Sequence, residues 1–127
     1  MPVAHWSNRN SSTGKKSERR AEQYLRGQGL VIVKRNFRCK TGEIDLIMRD
    51  GATLVFIEVR HRSNRNFGSA VETVDWHKQQ KLVRAANHFL FTHPRYNDCN
   101  CRFDIVANDV DTDELQWIRN AFDSGNF

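Results

Sequence analysis

The chain has 127 residues, of which 39% are hydrophobic and 28% are charged, and this suffices for one core without disulfides or a structural metal. Its net charge of +5 is unevenly placed: residues 1–40 hold ten Lys or Arg against two acids, and residues 41–127 hold ten against thirteen. The three cysteines form no Cys-x-x-Cys pair, which argues against a zinc ribbon or a secreted disulfide framework. The sequence shows no apolar leader and no apolar run of membrane-spanning length, so we expect a cytoplasmic protein without a membrane partner.

A basic arm and a helix are predicted at the start of the chain. Residues 1–16 are rich in Ser, Asn, Arg and Lys without periodicity, so we expect a flexible arm followed by one folded domain over residues 17–127. A helix is predicted from Ser17, as its cap, to about Gln28, where Gly29 supplies a left-handed stop. The basic N-terminal third favours a polyanionic partner, with a solvated basic tail as the alternative.

A hairpin is the strongest local signal in the sequence. After a first strand from Leu30 to Arg38, two apolar strands near residues 42–49 and 53–61 flank Asp50-Gly51, which is typical of a type I′ turn. If Asp50 and Gly51 are the two central turn residues, the numbers of paired residues sum to 101. The tight turn therefore predicts a specific register for the two strands.

The predicted register places carboxylates together on one face of the hairpin. Glu43 faces Glu58 and Asp45 faces Phe56, and the side chains of Glu43, Asp45, Glu58 and Arg60 share a face because strand side chains alternate. The apolar residues take the opposite face: Ile44, Leu46, Val55, Ile57 and Val59. Two carboxylates about 5 Å apart repel by roughly 3 kcal/mol at an effective dielectric of 20. A hard divalent cation is the economical way to offset that repulsion.

The rest of the chain predicts a second helix and two more strands. Residues 63–69 read as a loop, and apolar residues recur at helical spacing from Val71 to Phe91, before Pro94. Short strands are predicted at 102–106 and 115–118. The order α-β-β-β-α-β-β implies an α/β fold with a mixed central sheet flanked by helices.

Two features have no assigned role at this point. Asp104 lies between apolar residues of a predicted strand, and the sequence leaves open a buried ion pair or a site role. The cysteines, Cys39, Cys99 and Cys101, are predicted to be reduced and structural.

Several motifs, in this order and spacing, resemble the YraN family of small bacterial proteins. The resemblance covers about residues 17–122 and rests on five segments: Gly42-Glu43-Ile44-Asp45-Leu46-Ile47, Phe56-Ile57-Glu58-Val59-Arg60, Phe67-Gly68, Lys78 with Lys81, and Cys101-Arg102-Phe103-Asp104-Ile105-Val106. It implies a restriction-endonuclease-like core and kinship with archaeal Holliday-junction resolvases and the PD-(D/E)xK nucleases.

The resemblance also implies a set of site residues. In that superfamily an acid on the first helix, an Asp on the second strand and Glu-x-Lys on the third build a metal site, and these match Glu22, Asp45, Glu58 and position 60. Asp45 and Glu58 would bind Mg²⁺ or Mn²⁺, because Mg²⁺ takes one or two carboxylates and keeps several waters. Glu22 could then orient a metal-bound water.

The chain departs from the superfamily pattern at position 60, which is Arg60. A guanidinium cannot act as a base, although it can hold a phosphate oxygen or stabilise transition-state charge. Lys78 or Lys81, one turn apart on the following helix, could supply the missing ammonium.

The leading hypothesis is a metal-dependent endonuclease that acts on DNA, with kinship favouring structured or branched DNA in repair or recombination. Two alternatives stay open: a catalytically silent nucleic-acid-binding module, and an accessory scaffold for a DNA-processing partner. A homodimer is compatible with each of them. Candidate nucleic-acid-binding residues are Lys15, Lys16, Arg19, Arg20 and Arg62.

Overall fold

The structure is a computed structural model that describes residues 12–62, 74–109 and 111–123. Two helices and five strands follow in the predicted order: α1 (Ser12–Gly27), β1 (Val31–Cys39), β2 (Gly42–Asp50), β3 (Thr53–Arg62), α2 (Trp76–Thr92), β4 (Asn100–Asp109) and β5 (Leu115–Phe122). A short 3₁₀ turn, Pro94–Tyr96, leads from α2 to β4. The predicted loop at 63–69, with Phe67-Gly68, lies outside the described residues.

The five strands form one mixed sheet in the order β1-β2-β3-β4-β5. Neighbouring strands are antiparallel except β3 and β4, which run parallel from Thr53–Asn100 to Arg62–Asp109. Parallel neighbours need a crossover connection, and α2 lies in that connection. The predicted mixed α/β fold is confirmed, and it is consistent with a restriction-endonuclease-like core.

The sheet separates two apolar clusters, one under each helix. Successive residues of β3 enter the two clusters in turn, so α1 and α2 cover opposite faces. The cluster under α2 includes Phe37, Ile44, Ile47, Leu54, Phe56, Leu82, Ala85, Phe89 and Phe103. The cluster under α1 includes Ala21, Leu25, Leu46, Met48, Val55, Ile57, Val59 and Val106. Side chains of β3 that alternate with Val55, Ile57 and Val59 therefore project toward α2.

Helix α1 begins at Ser12 rather than at the predicted Ser17. Ser17 lies inside the helix and is buried, and its hydroxyl accepts a 2.9 Å hydrogen bond from Asn108 Nδ2 on β4. The hydroxyl that was expected to cap the helix thus joins α1 to the sheet. Residues 12–16, expected in a flexible arm, are helical, and the predicted left-handed stop is present at Gly29, with φ of 101°.

The predicted register of the β2–β3 hairpin is wrong by two positions. Asp50 pairs with Thr53 and Leu46 with Ile57, so paired numbers sum to 103 and the turn residues are Gly51 and Ala52. Asp50 stays in the strand, where its carboxylate accepts a 3.0 Å hydrogen bond from Arg102 on β4. Glu43 does not face Glu58, nor Asp45 Phe56. Because the shift is even, it alone moves no side chain to the other face.

A local reversal of side-chain direction does change one predicted face. Asn36 on β1 and Asp45 on β2 occupy the same level of the sheet, and Asn36 has a positive φ of 52°. The pairs on either side of them are Arg35–Leu46 and Phe37–Ile44. Leu46 packs under α1 whereas Ile44 packs under α2, so alternation breaks between them. Ile44 was predicted to share the face of Leu46, and that prediction is wrong.

Asp104 is fully buried and forms an ion pair with Arg102, which was one of the two possibilities that the sequence left open. Its carboxylate accepts hydrogen bonds from Arg102 Nε (3.0 Å), Trp117 Nε1 (2.9 Å) and the Asn120 backbone N–H (2.9 Å). Arg102 also binds Asp50, so the network ties β4 to the hairpin and to β5. These donors satisfy a carboxylate that would be costly to bury without hydrogen-bond partners.

We expect Asp104→Asn to lower the free energy of unfolding by about 3 kcal/mol, because removing one member of a buried ion pair leaves the other charge uncompensated. Urea denaturation at pH 7 measures the change. Asp98→Asn removes a charge at an exposed position and should leave the denaturation midpoint unchanged. Equal midpoints for the two variants would contradict a stabilising role for the Asp104 network.

Candidate active site

Two buried carboxylates meet where β2 and β3 stop pairing. The β2–β3 pairing ends at Leu46–Ile57, and the next positions along the two strands are Asp45 and Glu58. Asp45 is 4% exposed and Glu58 is 3% exposed. Asp45 Oδ2 accepts a 2.7 Å hydrogen bond from the Val59 backbone N–H, so the carboxylate itself bridges to β3.

Two cations flank the Glu58 carboxylate. Lys78 Nζ lies 3.5 Å and Arg60 Nε lies 3.7 Å from Glu58 Oε2. Arg60 is as deeply buried as Glu58, and the Lys78 side chain keeps 22% of its exposure. Because a buried carboxylate is costly without compensating charge, the pair of cations offsets the burial of Glu58.

The start of α2 fixes the position of Lys78. Asp75 is the N-cap residue, and its carboxylate accepts a 2.9 Å hydrogen bond from the Lys78 backbone N–H. An acid at this end also interacts favourably with the helix dipole. Three residues of α2 that follow Lys78 are fully or almost fully buried under the sheet: Leu82, Ala85 and Phe89. Capping and packing together hold the ammonium beside Glu58.

The donor set fits Mg²⁺ or Mn²⁺ rather than zinc. Among the described residues no group of three or more His, Cys, Asp or Glu is arranged to hold a metal ion. Zinc takes three or four protein ligands, whereas Mg²⁺ binds through one or two carboxylates and retains its waters. Asp45 and Glu58, adjacent and acidic, are the residues that would hold such an ion.

A basic cleft of about 430 Å³ opens beside this cluster, between the β1–β2 turn and α2. Its polar lining consists of Arg38, Lys40, Thr41, Glu43, Lys78 and Lys81. Lys78 belongs both to the cleft and to the Glu58 cluster, whereas Lys81 lines the cleft one helical turn further on. Sequence reasoning missed Arg38 and Lys40. Their signal was a pair of basic residues, Arg38 at the end of β1 and Lys40 in the turn, shortly before the acidic motif that begins at Gly42.

Glu22 has a different set of partners from the one expected of a water-orienting acid. Both of its carboxylate oxygens accept 2.7 Å hydrogen bonds from Arg35 on β1, and Arg26 lies 3.4 Å away. The Arg35 hydrogen bonds hold the pKa of Glu22 below its usual value, and burial opposes them. Glu22 belongs to α1, which covers the face opposite α2. In this structure Glu22 therefore joins α1 to the sheet.

The basic residues predicted to bind nucleic acid are spread over α1 and β3. Lys15, Lys16 and Arg19 are exposed on α1, on the other side of the sheet from the basic cleft. Arg20 forms an ion pair with Asp113, which joins α1 to the turn between β4 and β5. The side chain of Arg62 lies outside the described part of the structure.

The fold and the site define an α/β protein with a mixed five-stranded sheet, consistent with a restriction-endonuclease-like core, and with a buried cluster of acidic and basic side chains. The model of the uncharacterised protein family UPF0102 matches residues 17–107, and the chain belongs to that family. A UPF0102 protein of Nitrosospira multiformis is 54% identical over 111 residues, which cover 87% of this chain and 92% of the relative. For Alcanivorax borkumensis the identity is 50% over 114 residues, covering 87% and 91%.

A third relative, from Pseudomonas fluorescens, is 48% identical over 112 residues, which cover 88% of this chain and 93% of its own length. Each of these matches extends over nearly the whole length of the relative and most of this chain, so the similarity is not confined to one motif. Across the described residues, neither helix is long and apolar enough to cross a membrane.

The Glu22–Arg35 pair makes the free energy of unfolding depend on pH in the acid range. Because the pKa of Glu22 is lowered in the folded state, the pair stabilises the fold above pH 4.5 and loses that effect as pH falls through the folded pKa. We expect Glu22→Gln to lower the free energy of unfolding by about 1 kcal/mol at pH 7, given the exposure of Arg35. The difference should shrink as pH falls below 4.5 and vanish only once pH lies below the lowered pKa of Glu22, as measured by urea denaturation from pH 7 downward.

The matched control is Glu114→Gln, which neutralises an exposed acid in the turn between β4 and β5. Its denaturation midpoint should follow that of the wild-type protein at each pH. A Glu22→Gln defect of constant size from pH 7 to pH 3 would show that the substitution disturbs packing rather than the ion pair.

Proposed function

We propose that this protein is a metal-dependent nuclease that hydrolyses phosphodiester bonds in DNA. One observation carries the proposal: the Lys78 ammonium lies 3.5 Å from Glu58, and Glu58 and Asp45 are the first residues beyond the last β2–β3 pair, Leu46–Ile57. Two carboxylates and one ammonium are the groups that the resemblance to the PD-(D/E)xK nucleases implies, and here the ammonium comes from α2 rather than from β3. This arrangement supplies a lysine although position 60 is an arginine.

Each residue of the cluster has a distinct role in the proposed reaction. Asp45 and Glu58 would hold Mg²⁺ or Mn²⁺, which neutralises charge on the phosphate and lowers the pKa of a bound water. Asp45 is oriented by the Val59 N–H, which fixes the direction of its second oxygen. Lys78 Nζ, on the open side of Glu58, can orient the attacking water or release a proton, as a guanidinium cannot.

Arg60 acts through its fixed charge. Its side chain is 6% exposed, and its Nε lies 3.7 Å from Glu58, so its position is set within the cluster. A guanidinium held in a water-poor site stabilises negative charge that develops on a phosphate, and it needs no rearrangement to do so. The division of labour between Arg60 and Lys78 thus separates charge stabilisation from proton transfer.

The basic cleft supports a polyanionic substrate. Lys40 and Lys81 add cations that Glu58 does not compensate, and Lys78 connects them to the buried carboxylates. Repeated phosphates along a nucleic acid would be attracted by this surface, and one phosphate would reach the cluster. Kinship with junction resolvases adds branched DNA to the substrates that deserve a test.

We expect the wild-type protein to cleave DNA in Mg²⁺ or Mn²⁺ and to stop when EDTA is added. Asp45→Asn keeps an acceptor for the Val59 N–H but loses the metal-binding charge, so the rate should fall by about 10²–10³ or more. Lys78→Met should cause a comparable loss. The assay compares duplex, single-stranded, flap and four-way-junction DNA by gel electrophoresis.

Lys34→Met is the matched control for Lys78→Met, because Lys34 is an exposed lysine on β1. Circular dichroism establishes that each variant is folded before its rate is compared. If the wild-type protein binds DNA but cleaves none of the four substrates with either metal, the nuclease proposal is wrong. A silent nucleic-acid-binding module would then account for the cluster.

Arg60 provides a separate prediction. Arg60→Lys should retain or increase metal-dependent cleavage, because an ammonium preserves the charge and can also transfer a proton. Arg60→Ala should lose about 10²–10³ in rate, the usual contribution of one electrostatic stabiliser. Initial rates on the best substrate measure both effects. Full activity of Arg60→Ala would remove Arg60 from the mechanism and leave Lys78 as the working cation.

A further inference from the structure

We infer that the basic cleft binds the sugar-phosphate backbone of a single DNA strand. This inference rests on the proposed function in one respect, that the bound strand leads to the bond that is cleaved. Binding of the strand in the cleft requires neither cleavage nor a metal ion. The cleft lies on the α2 side of the sheet, away from the lysines of α1 that the sequence singled out.

The charge of the cleft calls for an anionic ligand. Its lining carries four cations and one carboxylate, Glu43, which lies 4.0 Å from Arg38. Lys40 and Lys81 form no ion pair with another residue of the described ranges, so within that part of the chain their charges have no acidic partner. Several ammonium groups at neighbouring positions match the regularly spaced phosphates of a nucleic acid strand.

The shape of the cleft favours one strand over a duplex. Its volume of about 430 Å³ falls within the range of about 300–1,000 Å³ that is usual for pockets that enclose small ligands. A duplex is stiff over about 150 base pairs and cannot narrow itself to enter such a space. A single strand bends freely and can place successive phosphates along the two walls.

The cleft is formed before any ligand arrives. A Cβ atom at Gly42 would lie 2.9 Å from the Lys81 carbonyl oxygen, so the β1–β2 turn touches the backbone of α2 directly. The Cys39 thiol lies 3.3 Å from the Thr41 hydroxyl and donates to the Gly42 carbonyl oxygen at 3.4 Å, which holds the turn. Preformed walls reduce the ordering cost of binding.

The position of Lys78 joins the cleft to the acidic cluster. Lys78 lines the cleft and contacts Glu58, whereas Lys81 lies one turn of α2 further away. A strand that follows the two lysines along α2 therefore has one phosphate at Lys81 and a neighbouring phosphate beside the carboxylates. The cleft thus orients the strand relative to the proposed hydrolytic centre.

The test measures binding without metal, in EDTA, by fluorescence anisotropy of labelled single-stranded and duplex DNA with the full-length protein. We expect the wild-type protein to bind the single strand more tightly. The double variant Lys40→Gln/Lys81→Gln should weaken that binding about tenfold, and the slope of log K against log salt should become shallower by about 1.4 for two lost contacts on a single strand. Both lysines are exposed, so the variant should keep the wild-type thermal midpoint.

The matched control, Lys34→Gln/Arg49→Gln, removes two exposed charges from β1 and β2 and should bind like the wild-type protein. Equal losses in both double variants would overturn the inference, because net charge alone would then account for binding. Loss in Lys15→Gln/Lys16→Gln together with full binding by the cleft variant would also overturn it and assign the strand to α1.

The outcomes separate this inference from the proposed nuclease. Weakened binding by the cleft variant, in a protein that never cleaves, supports the cleft and rejects the nuclease. Cleavage by the wild-type protein, with unchanged strand binding by the cleft variant, supports the nuclease and rejects the cleft.

Discussion

The hydrogen bond from the Val59 N–H to Asp45 Oδ2 determines how the rest of the site is arranged. It falls where β2 and β3 stop pairing, and it satisfies a buried backbone donor with a side-chain carboxylate. At the same level Asn36 adopts a positive φ, and side-chain direction reverses, so that Ile44 packs under α2 while Leu46 packs under α1. The end of β2–β3 pairing therefore lets β2 contribute side chains to the apolar layers under both helices. It also leaves the Asp45 carboxylate bound to the backbone N–H of Val59, the residue next to Glu58.

Most of the fold could be predicted from local patterns, and the errors arise where a distant residue intervenes. Alternating apolar residues and the Asp50-Gly51 pair identify the hairpin. Its register is not local, because Asp50 remains in β2 and its carboxylate binds Arg102, which is 52 residues further along the chain. The start of α1 was mispredicted for the same reason. Ser17 has the sequence features of an N-cap residue, but in the folded chain its hydroxyl accepts a hydrogen bond from Asn108. Local sequence indicates which secondary structure a segment prefers, whereas the roles of Asp50 and Ser17 are set by their tertiary contacts.

The candidate site was predictable in its acids and less so in its cations. Asp45 and Glu58 stand out because charge inside apolar strands is costly, and Lys78 could be named but not chosen over Lys81. The choice depends on how α2 rests on the sheet. Glu22 looked like a site residue only through the family resemblance, and its partner Arg35 could not be anticipated, since β1 and α1 meet only in the folded chain.

The ammonium of the proposed centre comes from Lys78 on α2 and the carboxylate from Glu58 on β3. The distance between these two groups therefore depends on how α2 packs against the sheet. One turn of helix is about 5.4 Å long, which exceeds the 3.5 Å contact between Lys78 and Glu58. A slip of α2 against the sheet by a fraction of a turn would separate the two groups. Core side chains such as Leu82 and Phe89 thereby align the proposed pair of Lys78 and Glu58, and we expect the loss of a methylene from this apolar layer to change the distance between the two groups.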